Sequence, residues 1–248
     1  MTVNYDQIAV RYDAHRPSGS DLCFDRLAEA LAGARRILEI GAGTGNTTRF
    51  VARSTDATLV AMEPSAGMVA QARAKGVAGA WIRGEAPLLP FRSDSFDVVY
   101  SSYVLQHVGA PLALFEACAR MLRPGGRTAH ITVPHSYIAN HPLNHYFPSF
   151  AAIDLSRFPS SEELGGALEK AGFREVRWEV EQEKPKALDR AYLARVESKF
   201  LSTFDMMSPE EYETGLARFR QDVEAGGGTT QHVVTREAVL IQARCASS

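Results

Sequence analysis

The sequence predicts an α/β fold, a parallel sheet covered by helices on both faces. Three observations carry this. Between residues 36 and 133, short apolar runs alternate with segments of helical period, the pattern of consecutive βαβ units. The first run, Ile37-Leu38-Glu39-Ile40, ends in a glycine-rich turn, Gly41-Ala42-Gly43-Thr44-Gly45, that leads straight into a helical segment. With 248 residues, 45% of them hydrophobic, the chain suits one large domain with a modest cap.

Five runs read as strands: RILEIG from Arg36, ATLVAME from Ala57, GAWIRG from Gly79, FDVVYSS from Phe96 and GRTAHITV from Gly126. Ser65 is placed to cap a helix carrying Met68, Val69 and Ala72 on one face, with Gly76 as its stop. Pro111 suits the first turn of a helix lined by Leu114, Cys118 and Leu122, and Arg123-Pro124-Gly125-Gly126 then turns the chain into the fifth strand. Residues 134–158 are rich in aromatic, His and Pro residues without a clean period and read as a loop or lid, whose His135, Tyr137, His141, His145 and Tyr146 could supply a base or hydrogen bonds to a polar substrate. Ser160 and Glu163 have capping-box spacing ahead of Leu164, Leu168 and Ala171, and a strand follows from about Phe173. Residues 186–224 return to helical period. Tyr192, Val196, Phe200 and Phe204 recur every four residues and read as core between cap helices, and Ser208-Pro209-Glu210-Glu211 starts a helix before Tyr212, Leu216 and Phe219. Three glycines, 226–228, end that segment, and EAVLIQARC supplies a last strand.

A formal net charge of -2, with 23% charged residues, offers no basic excess for phosphates, so nucleic acid is not an expected partner. No run approaches the ~20 apolar residues of a membrane span, and charges stand where a signal peptide would be apolar, so a cytoplasmic protein is expected. Cys23, Cys118 and Cys245 are far apart and suggest neither a disulfide framework nor a zinc site; Cys245 reads as a small hydrophobe or a loose tail residue. His141 and His145 lie at i, i+4, but Pro142 stands between them and no carboxylate is close in sequence, so no metal is expected.

The glycine turn narrows the ligand. A dinucleotide site needs G-x-G-x-x-G, whereas here Asn46 follows Gly45 where the third glycine should begin the helix packing. A strand, a tight turn and a helix N-terminus remain, suited to close approach and to a carboxylate. Glu63 ends the second strand, placed to accept from two ribose hydroxyls. Glu85 follows the third and is placed to accept from an exocyclic amine, with the Ala86 amide as a nearby donor. Together they describe a nucleoside bearing a carboxylate and no pyrophosphate.

At these stretches the chain resembles the class I S-adenosylmethionine (SAM)-dependent methyltransferases, in the small-molecule branch of ubiquinone/menaquinone-type, type 11 enzymes. The matching segments are Ile37 to Gly45, MEPSAGMVAQAR, GEAPLLPFRSDSFDVVYSS and LRPGG, with YDQIAVRYDAHRP resembling the family's opening helix. The resemblance implies a Rossmann-like sheet of seven strands, mostly parallel with an antiparallel last strand. It divides the chain into a core, residues 1–180 plus 231–248, and an inserted helical substrate cap at 181–230. It also implies SAM as cofactor and a small-molecule acceptor, in a monomer or homodimer. By resemblance Gly41, Gly43 and Gly45 face methionine and ribose, with Glu39 on the strand leading into them. Glu63 takes the ribose, Met68 lies beside adenine, Glu85 and Ala86 meet its edge, and Ser101 reaches the methionine amine. Tyr12 and Arg16 close over the methionine end, Arg16 on its carboxylate. Glu85 departs from the commoner Asp, and Pro87 stands where the family often has Glu.

The expected reaction is in-line displacement at the sulfonium methyl, with catalysis largely by positioning. An O–H nucleophile would also need a base, for which His107 and His135 are the candidates; a carbon or amine nucleophile would not. Attack at another sulfonium carbon, including cyclisation that releases methylthioadenosine, and non-catalytic SAM binding stay open beside methyl transfer. A nucleotide-dependent oxidoreductase is disfavoured by Asn46.

Overall fold

The computed structural model describes residues 5, 6, 9, 10 and 21–246. Seven strands form the central sheet: β1 (Arg36–Ile40), β2 (Thr58–Glu63), β3 (Ala80–Arg83), β4 (Phe96–Ser102), β5 (Leu122–Thr132), β6 (Arg174–Gln182) and β9 (Glu237–Arg244). Their order across it is β3-β2-β1-β4-β5-β9-β6. The first five run parallel, and β9 is antiparallel to both β5 and β6. This is the expected Rossmann-like sheet.

Burial on both faces explains why the strand runs are nearly continuous in apolar residues. Ile37 packs with Leu27 and Leu31 of α1 (Phe24–Leu31) and Val51 of α2 (Asn46–Ser54). Leu38 and Ile40 point the other way, toward Leu114 and Cys118 of α4 (Pro111–Met121) and Leu164 and Leu168 of α7 (Ser161–Lys170). The caps take their predicted places. Ser65 accepts from the Met68 amide at 3.1 Å to start α3 (Ala66–Ala74), and Ser160 with Glu163 closes a full capping box on α7.

Residues 134–158 differ from the expected loop. They form α5 (His135–Ala139), a 3₁₀ turn at Pro142–His145 and α6 (Phe150–Leu155). Helices of five and six residues separated by prolines are too short to display a period. Between β6 and β9 the chain builds β7 (Lys186–Asp189), α8 (Arg190–Glu197), a 3₁₀ turn at Ser202–Asp205, α9 (Pro209–Ala225) and β8 (Thr229–Val234), with β7 and β8 paired antiparallel. The chain therefore stays in the insertion to Val234. This insertion and the 134–158 segment share one core, in which Tyr146, Phe147 and Phe150 meet Val196, Phe204 and Phe219.

Three local expectations are corrected. Arg123–Gly126 is a bulge within β5: Phe96 pairs with Leu122 and pairing resumes at Val98 with Arg127. The four-residue stripe is not one helical face, because α8 ends at Glu197. Val196 and Phe204 are buried in the cap core, whereas Tyr192 and Phe200 line a cleft. Cys245 is no loose tail, since its amide donates to the Gly126 carbonyl at 2.8 Å and its side chain packs on the main core. Among the described residues, no helix is long and apolar enough to cross a membrane.

Candidate functional site

β1 is the point at which the sheet order reverses, with β2 on one side and β4 on the other, and ligands of open α/β sheets bind at the carboxyl ends of such strands. There the glycine turn is held down by paired bonds from the Gly41 and Ala42 amides to the Met62 carbonyl, at 2.8 and 3.0 Å. Gly41 is required on steric grounds, since a Cβ would lie 2.4 Å from Val104 Cγ2. Gly43 has φ +56°, and no atom stands within 4 Å of the place a Cβ would take, so its backbone faces open space that a ligand can enter.

Two carboxylates lie under this turn. Glu39 is 1% exposed and accepts from the Thr48 hydroxyl at 2.6 Å. Burial pushes its carboxyl up to about 7, against the opposing pull of that bond. Glu63, 6% exposed, accepts from the Gly43 amide at 2.9 Å through Oε2 and from the Ser65 amide at 3.0 Å through Oε1. Burial raises its pKa, and the two amides oppose the rise. Each oxygen keeps a second lone pair.

A cleft of about 690 Å³ opens above the turn and runs under the cap. Of the residues nominated by sequence, Glu39, Gly41, Gly43 and His107 line it. Glu63 sits behind it, reached through the Gly43 amide, and Met68, Glu85 and Ala86 lie on α3 and beyond β3, outside its walls. Gly45 (φ +79°) caps α2 against Val77 and Trp81. Tyr12 and Arg16 lie outside the described residues. Asp6 accepts from the Ser65 hydroxyl at 2.6 Å and the Gly67 amide at 2.8 Å, which lowers its pKa and sets it over the start of α3.

Ser101 is placed otherwise than expected. It is fully buried, 2.8 Å from His130 Nδ1, while Thr128 Oγ1 is 2.7 Å from His130 Nε2. The Thr128 hydroxyl spends its proton on the Val99 carbonyl at 3.0 Å, so Nε2–H donates to Thr128 and Ser101 donates to Nδ1. Burial pushes His130 down to about 3, which keeps it neutral. Side chains alternate along a strand, and it is Ser102 that faces the cleft. His135 is also turned away: its Nε2 lies 2.6 Å from the Phe158 carbonyl, off the cleft wall. His107 is exposed at the mouth, 2.9 Å from the Tyr5 hydroxyl.

His141, from the His- and Tyr-rich 134–158 segment, joins the cleft wall together with two arginines that the sequence did not single out. His141, 3% exposed, accepts from the Leu143 amide at 3.1 Å through Nδ1, which leaves the proton on Nε2; burial pushes it down to about 4. Arg195 lies over the Phe200 ring at 4.1 Å and the Tyr192 ring at 5.5 Å. Arg236 is held by Asp21 and by Glu183, the latter at 2.8 Å. The one available signal was Arg195 three residues after Tyr192 on α8; Arg236 is brought in by tertiary structure alone.

Comparison with known proteins gives matching results. Residues 38–129 match the family described as "Methyltransferase domain". The chain is 32% identical over 189 residues to malonyl-[acyl-carrier protein] O-methyltransferase of Herminiimonas arsenicoxydans, covering 73% of this chain and 69% of that protein. It is 30% identical over 202 residues to demethylmenaquinone methyltransferase of Mycobacterium sp. (strain KMS), covering 70% of this chain and 85% of that protein. A putative methyltransferase from an antibiotic biosynthesis pathway of Anabaena variabilis shares the fold, with a TM-score of 0.67 at 21% identity over 87% of this chain and 96% of the other.

Proposed function

Because this chain belongs to the class I SAM-dependent methyltransferases and transfers a methyl group from SAM to a small molecule, we propose that the cleft joins the sulfonium end of SAM to the acceptor, with the insertion between β6 and β9 as the substrate cap. The observation that carries this reading is Glu39: a buried carboxylate in the cleft floor, bonded to a neutral hydroxyl beside the open face of Gly43. Such a group is stabilised by an incoming cation, and SAM carries both an ammonium and a sulfonium.

SAM supplies an electrophilic methyl group. Glu39 holds the cationic end, and the glycine turn lets the backbone approach the methionine portion. Glu63 accepts from the ribose hydroxyls with the lone pairs that Gly43 and Ser65 leave over. Met68, Glu85 and Ala86, one strand further along, receive the adenine. The Ser101 hydroxyl takes no part, being committed to His130. On the acceptor side Tyr103, Tyr137, Tyr192 and Phe200 form aromatic walls that fit a flat or apolar acceptor body and exclude water. His141 offers its Nε2–H as a neutral donor, and His107 is the base at the mouth for a hydroxyl acceptor. Much of the rate then comes from holding the acceptor atom about 3 Å from the methyl in line with sulfur.

Mass spectrometry of products from SAM with a panel of quinol, phenol and carboxylate acceptors tests this. S-adenosylhomocysteine with a methylated acceptor is expected, and SAM alone should survive intact. Methylthioadenosine from SAM alone would overturn methyl transfer in favour of attack at another sulfonium carbon.

A further inference from the structure

We propose that the cap carries a binding site for one divalent transition-metal ion, made by His145, Asp222 and His232. The site is independent of the cofactor cleft: none of the three residues lines it. His145 ends the 3₁₀ turn of the 134–158 segment, Asp222 lies in the last turns of α9, and His232 is in β8. One donor atom from each falls within 4.8 Å of the other two. The sequence offered no such site, because His145 sits beside His141 in the chain; the fold buries His141 in the cleft wall and sends His145 to meet His232. The two imidazole centroids are 4.7 Å apart.

Two imidazoles and a carboxylate are the donor set of a three-ligand zinc centre with an open, water-filled position. At bond lengths of about 2.0–2.1 Å, tetrahedral donors stand about 3.4 Å apart, so surface side chains need close in by little more than about an ångström. The surroundings are arranged for this. The buried Tyr146 donates its phenol proton to Asp222 Oδ2 at 3.0 Å, which fixes the carboxylate while leaving Oδ1 for a ligand bond. A carboxylate held from behind in this way is the usual support of a metal ligand. Tyr146 is itself locked by the Phe219 ring at 4.7 Å. The nearby cation, Arg218, is drawn off to the His145 carbonyl at 3.3 Å. An ion here would clip the 134–158 segment to the insertion, joining the two pieces of chain that wall the acceptor side of the cleft.

The test is zinc titration of untagged, full-length chain freed of metal by chelation, followed by calorimetry and thermal melting. One ion per chain is expected, with a melting temperature that rises with zinc concentration. His232→Ala and Asp222→Asn should abolish both effects and leave SAM affinity unchanged. Tyr146→Phe, which keeps the ring and loses only the bond to Asp222, should weaken zinc binding about 10–100-fold. Binding that survives His232→Ala, or no binding in the unaltered chain, would overturn the site; SAM affinity measured on the same samples shows that each variant is folded.

Discussion

The Thr48 hydroxyl donates to the Glu39 carboxylate at 2.6 Å, wholly out of water, and burial lifts the pKa of that carboxyl to about 7. Folded chain therefore binds the Glu39 proton more tightly than unfolded chain does, between the ordinary carboxyl value of 4.5 and 7. Stability must fall as pH rises through that window, by up to about 3 kcal/mol. Glu39→Gln keeps the bond to Thr48 without the charge. Its ligand-free melting temperature should lose most of this pH slope and exceed the parent's at pH 8, while SAM binds more weakly. Parallel melting curves for the two proteins between pH 5 and 8 would refute the account.

Glu63→Ala removes the acceptor of the Gly43 and Ser65 amides together with the proposed ribose acceptor. SAM affinity measured by calorimetry should fall by ~1–3 kcal/mol, and Glu63→Gln by less. Unchanged affinity would mean that the ribose lies elsewhere.

The two histidines proposed from sequence separate cleanly by geometry. For a hydroxyl acceptor, His107→Ala should lower kcat by roughly 10²–10⁴. His135→Ala should leave kcat near the parent value, because His135 is tied to the Phe158 carbonyl and not to the cleft. Equal losses in both variants, measured by steady-state kinetics, would contradict this division.

Thr203 donates to the Asp154 carboxylate, lying 2.9 Å from Oδ1 and 3.0 Å from Oδ2, inside the cap. Thr203→Val leaves that buried carboxylate with Arg157 at 3.2 Å and should cost ~1–3 kcal/mol in urea unfolding. Both residues also line the cleft, so SAM affinity is measured on the same samples, and a stability loss without a larger loss of SAM affinity is expected.

Gly215 lies where α9 crosses the 134–158 segment, and a Cβ there would stand 2.5 Å from Phe147 Cδ1 and 2.6 Å from the Tyr146 carbonyl. Gly215→Ala should destabilise by ~1–3 kcal/mol through overpacking. A melting temperature equal to the parent's would show that the cap core yields more easily than its contacts imply.

What could be read in advance followed from local chemistry. The strands β1 to β5, the Ser65 and Ser160 caps and the turn from Gly41 to Gly45 each announce themselves within about ten residues, because period, cap and turn are short-range properties. Ser101 was misdirected by a single step: period two on a strand means that one position exchanges the cleft for the interior, where His130 waits. The arginines of the acceptor side were unreadable for a different reason. Arg195 and Arg236 reach the same cleft only after α8 and the return to β9 have been assembled, and no spacing in the chain encodes that arrangement.

The position of β9 between β5 and β6 has a consequence for biosynthesis. Residues 183–236 emerge before β9, so while the insertion is being synthesised β5 presents a bare edge and β6 has no neighbour in the main sheet. Unpaired edges of this kind invite pairing between nascent chains. The cap, with an aromatic core of its own, can condense during that interval and hold β6 near the place it will occupy. Lesions in the cap, far from the nucleoside end of the cleft, should then reduce soluble yield before they reduce turnover.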